Sequence, residues 1–74
     1  MRIITQDGTV SIDEFNYLIE VKEKFVLAKH ETRPIFPIGK YNTEKRAQEV
    51  FDELHAAYEE LPFSGNSIYR MPNE

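Results

Sequence analysis

Seventy-four residues suffice for a single domain, and at that size one core leaves a folding margin of roughly 3 to 5 kcal/mol unless association adds to it. The absence of cysteine excludes disulfide bonds and thiolate zinc sites, the usual reinforcements of so short a fold. A formal net charge of −4 speaks against general affinity for nucleic acid, because phosphate binding rests on neutralisation by Lys and Arg.

Residues 3–6 and 9–12 flank Asp7-Gly8, a pair that supplies the positive backbone angles of a two-residue hairpin turn. That register sets Ile3 against Ile12 and Thr5 against Val10, giving the ribbon one apolar face. Asp13-Glu14 is a polar connection, after which alternation resumes. Phe15, Tyr17, Ile19 and Val21 fall on one side of a predicted strand, and Asn16, Leu18, Glu20 and Lys22 on the other. Residues 22–24 turn the chain into a second strand over 25–30, FVLAKH, in a register left open because this turn has neither Gly nor Asn.

Residues 31–34 read as a polar loop and 35–41 as extended. Pro37 has no N–H to give a ladder, so it predicts an edge strand or a bulge, and Gly39 weakens the segment further. The spacing then predicts the chain's one long helix over about 43–61, with Ala47, Val50, Phe51, Leu54, Ala57, Tyr58 and Leu61 on one face. Asn42 is the expected N-cap and Thr43 the competing choice. Lys45 and Arg46 at the helix start, like Glu59 and Glu60 at its end, oppose the helix dipole, which suggests that these charges serve another purpose. Pro62 ends the helix. Residues 61–66 are turn-rich, and 67–71 form a last strand whose Ile68, Tyr69 and Met71 are too apolar for a free tail. The expected architecture is α+β, one domain over 1–74, with a single antiparallel sheet of four to five strands and one helix packed on one face.

The opening Gln6-Asp7-Gly8, the segment Gly39-Lys40-Tyr41-Asn42-Thr43-Glu44 leading into the helix, and the closing Tyr69-Arg70-Met71-Pro72 together resemble a group of small uncharacterised proteins of Gram-positive bacteria and their prophages. The resemblance implies a fold and a phage-related or mobile-element setting. It implies no activity and no catalytic residue. At Lys45 members of that group often carry an acidic residue, which would complete a capping box.

Chemistry is sparse. His55 has Asp52 and Glu59 one turn away, yet two adjacent ligands make no metal site, and all three fall outside the apolar stripe. His30 sits at a strand end. Ser11, Ser64 and Ser67 lack the context of a nucleophile, and three isolated glycines form no phosphate loop, so neither an enzyme nor a cofactor site is expected. No run approaches the roughly 20 apolar residues that cross a bilayer, and no apolar leader opens the chain, which points to a cytoplasmic protein without membrane contact.

Charge is distributed unevenly, with sums of −3 over residues 1–20, +4 over 21–46 and −5 over 47–74. A nucleic-acid reading rests on the basic 22–46 segment, Lys22, Lys24, Lys29, Arg33, Lys40, Lys45 and Arg46, with Phe25, Phe36 or Tyr41 to stack on single-stranded bases. The preferred reading is a non-enzymatic interaction module, a homodimer or a binder of a host protein. One helix cannot cover both faces of a sheet carrying Leu18, Phe25 and Leu27 on one side and Tyr17, Ile19 and Val26 on the other, and an uncovered apolar face marks an association surface. The candidate partner-binding residues are therefore Leu18, Phe25 and Leu27, with Lys22, Lys24, Lys29, Arg33 and Lys40 around them.

Overall fold

A computed structural model of the chain describes residues 1–59 and 68–74. Strands β1 (Arg2–Ile4) and β2 (Ser11–Asp13) pair antiparallel with Ile3 opposite Ile12, the expected register. Their connection is longer than a two-residue turn. Thr5 N–H bonds to the Val10 carbonyl and Gly8 N–H turns back onto the Thr5 carbonyl, leaving a loop from Gln6 to Thr9. The loop is set by Asp7, whose Oδ1 accepts from the Thr5 hydroxyl at 2.7 Å, the Thr9 N–H at 3.0 Å and the Thr9 hydroxyl at 2.8 Å. Those donors, the Thr5 hydroxyl foremost, hold its carboxyl below the ordinary carboxylate range. Gly8 supplies the one positive φ of the loop, +78°.

Asp13 then caps a single 3-10 turn, Glu14–Asn16, its carboxylate accepting from the Phe15 N–H at 3.1 Å. Phe15 is thereby lifted out of the strand expected to begin with it. The strands that follow form a meander: β3 (Leu18–Lys22), β4 (Phe25–His30) and β5 (Arg33–Lys40). The β3–β4 turn uses two residues, with Lys22 opposite Phe25. Glu23 takes φ 55°, a left-handed conformation that costs a residue with a Cβ about 1 to 2 kcal/mol, in place of the missing Gly or Asn. The β4–β5 turn is also two residues, His30 lying opposite Arg33, so the loop expected over 31–34 shrinks and Pro34 joins the strand. Thr32 N–H donating to His30 Nδ1 at 3.2 Å closes it. As Pro37 predicts, β5 is an edge strand with a bulge between Val26 and Leu27, and Ile38 at that bulge is 1% exposed.

The expected single sheet of four to five strands is not formed. Two three-stranded sheets take its place, ordered β2-β1-β6 and β3-β4-β5, where β6 is Ile68–Arg70. β6 runs parallel to β1, Ile3 opposite Tyr69, so the apolar tail docks on its own chain. Only a long crossover can join parallel neighbours, and the meander and the helix supply it. Prolines 34 and 37 and the bulge blunt the outer edge of β5, which meets the first hairpin through one backbone bond, Gln6 N–H to the Ile38 carbonyl.

The helix α1 spans Glu44–Glu59. Its cap is Thr43, not Asn42: the Thr43 hydroxyl accepts from the Arg46 N–H at 3.0 Å and its carbonyl from the Ala47 N–H at 3.1 Å. Ala47, Val50 and Leu54 are buried, Phe51 and Ala57 half-buried and Tyr58 exposed. The expected helix end at Leu61 and Pro62, the turn over 61–66 and the strand start at Ser67 lie outside the described residues. Helix and both sheets enclose one core that includes Ile3, Ile12, Val26, Ala28, Ile38, Tyr41, Leu54 and Met71.

The three motifs of the sequence converge on one junction. Gln6 Oε1 accepts the Lys40 N–H at 2.8 Å, while its Nε2 donates to the Lys40 carbonyl at 2.9 Å and to the Asn73 carbonyl at 2.8 Å. The Tyr41 hydroxyl donates to the Pro72 carbonyl at 3.0 Å, and Arg46 Nε to the Glu74 main-chain oxygen at 3.0 Å. A Cβ on Gly39 would lie 2.8 Å from the Tyr41 ring and 3.1 Å from the Met71 methyl. Arg46 also reaches Glu49 at 3.6 Å and Glu53 at 3.4 Å, so its guanidinium joins the helix's own carboxylates to the tail.

Candidate interaction surface

Residues directly opposite in an antiparallel pair share a face, so the β3–β4–β5 register sorts this sheet's side chains. Inward lie Ile19 opposite Ala28 and Val21 opposite Val26, with Phe36 opposite Ala28 on the far strand. Tyr17 continues this row, its ring 6.0 Å from Phe36 at 89° and 5.3 Å from His30. Outward lie Leu18 opposite Lys29, Glu20 opposite Leu27 and Lys22 opposite Phe25, with Pro37 beside Leu27 and Lys40 beside Phe25.

Six of the eight predicted residues therefore meet on one face: Leu18, Phe25, Leu27, Lys22, Lys29 and Lys40. Lys24 sits in the β3–β4 turn, where its carbonyl accepts the Tyr41 N–H at 2.8 Å. Arg33 lies at the opposite end of β4, paired with His30 of the inward row. Shielding across the face is unequal. Lys40 Nζ lies 5.7 Å from the Phe25 ring, a cation–π contact, and both Phe25 and Leu27 are half-buried. Leu18 remains 60% exposed.

Two apolar residues not predicted for the surface extend it. Ile35, beside inward-packed Phe36, is 47% exposed on β5, and Phe15 on the capped 3-10 turn is 83% exposed. Phe15, Leu18, Lys29 and His30 line an open cleft of about 490 Å³. The signal for Phe15 was present in Asp13, whose carboxylate reaches the amide two residues on and takes the chain out of the strand alternation. Ile35 lies at a second register shift of β5, between Ala28 and His30, which no local pattern marks.

The stacking residues of the nucleic-acid reading are divided. Phe36 packs inward and Tyr41 is buried at the junction, which leaves Phe25 as the one aromatic of the three among the outward lysines. Lys45 and Arg46 stand on the helix, where Arg46 is engaged by Glu49 and Glu53. His55 Nδ1 lies 2.9 Å from the Phe51 carbonyl, and its ring lies 4.2 Å from the Phe51 ring, tilted by 46°. Among the described residues no three His, Cys, Asp or Glu side chains stand close enough to hold a metal ion, and no helix is long and apolar enough to cross a membrane. No family model matches the chain, and no curated protein or solved structure is found to match it.

Proposed function

We propose that this chain acts by binding protein rather than by catalysis, through the outward face of β3–β4–β5, with a second copy or a host-cell protein as partner. The observation that carries this reading is the exposure of Leu18 and Ile35, 60% and 47%, on a sheet whose other face is roofed by the core. Large apolar side chains interspersed on one face with Lys22, Lys29 and Lys40 have the mixed composition of an interface. A phage or mobile-element origin belongs to this reading through the resemblance of the Gln6, Gly39 and Tyr69 motifs. Single-stranded nucleic acid has less support as the ligand, since two of its three stacking candidates belong to the core.

The test is affinity capture with the tagged chain, comparing wild type with Ile35→Asp. Ile35 is exposed, so the variant is expected to keep its thermal transition while a specifically captured protein, including a second copy, is lost. Capture of the same proteins by Ile35→Asp, or none above background together with a strict monomer in light scattering, overturns the reading.

A further inference from the structure

The sheet edges of this molecule are unequally protected. β2 and β6 are three-residue edges, and β5 is blunted by Pro34, Pro37, a bulge and the Gln6 bond. β3 is five residues long, LIEVK, with no proline, no glycine and an unbroken register. Its closing pair, Lys22 and Phe25, flanks a two-residue turn and so exchanges both ladder bonds, as do Glu20 with Leu27 and Leu18 with Lys29 by alternation. The main-chain N–H and C=O of Ile19 and Val21 therefore point away from β4, and among the described residues no backbone group outside the strands bonds to them. An edge of this kind templates another strand.

We infer that β3 pairs antiparallel with β3 of a second copy about a two-fold axis at Val21, joining the two meanders into one six-stranded sheet. The inference rests on the reading of this chain as an interaction module and names a second copy as a partner. Charge complementarity selects both occupant and register. An axis at Val21 sets Glu20 of each copy opposite Lys22 of the other, two opposite-charge pairs on the outward face. An axis at Glu20 would instead set the two Glu20 carboxylates side by side. Because the contact is isologous it closes at two copies.

The experiment is sedimentation equilibrium of the wild type and of Glu20→Lys and Lys22→Glu, with circular dichroism to show that each folds. Either single variant sets like charges opposite one another at both symmetry-related sites and should raise the dimer Kd about tenfold. Mixing the two should restore association, because the lysine pair of the first variant then faces the glutamate pair of the second. The Val21 amide should gain protection from hydrogen exchange as concentration rises. A dimer indifferent to both swaps overturns the edge pairing; if that dimer is lost with Ile35→Asp, the outward-face reading stands without it. A strict monomer overturns the pairing as well, and leaves the face reading to capture of another protein.

Discussion

Gln6 and Gly39 show how single residues of this chain hold separate elements together. Gln6 Nε2 and Oε1 join the first hairpin to Lys40 and to Asn73, three bonds that each contribute about 0.5 to 1.5 kcal/mol net. Gln6→Ala should therefore cost about 1 to 3 kcal/mol in urea denaturation, a large share of the margin a domain of this size has. A loss no greater than that of an exposed control such as Lys45→Ala would show the latch to be ornamental. At Gly39 the constraint is space. The Tyr41 ring that an added Cβ would strike is held by its bond to Pro72, so Gly39→Ala is expected to destabilise by about 1 to 3 kcal/mol, the cost of overpacking. Thermal melts of the two proteins measure it, and an unchanged midpoint would mean that the Tyr41 ring moves aside freely.

At the scale of elements, the helix start offers a clean comparison. Thr43→Ala removes the hydroxyl that receives the Arg46 amide and should cost about 1 kcal/mol, whereas Asn42→Ala should fall within a few tenths. Equal losses in equilibrium unfolding would return the capping role to Asn42. The sequence held the choice between these neighbours but not its resolution, since both carry a suitable oxygen. The strand FVLAKH was legible as an apolar run without Gly or Pro, and the two-residue period of side chains along a strand set Leu18, Phe25 and Leu27 on the face where the structure has them. The division into two sheets was not legible. It turns on β6 reaching β1 from the far end of the chain, and such a contact leaves no trace in either segment's own pattern. Phe15 was misplaced by resuming the alternation directly after Asp13-Glu14, whereas the turn that the Asp13 carboxylate caps runs on through Asn16.

Taken whole, the molecule has in Tyr41 a group whose ionisation reports on the closed fold. Burial, and then the charge of Tyr69, pushes the Tyr41 phenol up from 10.0 to about 12, while Arg46 lowers it by a smaller amount. Tyr69 is raised as well, by burial first and then by Glu53. A phenol raised in the folded state gives stability that is fully present below the unfolded value of 10.0 and is lost as pH climbs towards about 12, because the unfolded chain ionises first. Urea midpoints should thus decline through that window, and Tyr41→Phe should flatten the decline; an equal slope in both proteins would place the alkaline sensitivity elsewhere. The parallel pairing of β1 with β6 has a consequence for biosynthesis. β6 is made only after the whole meander and the helix, so the side of Ile3 that Tyr69 covers stays open until every element between β1 and β6 has emerged.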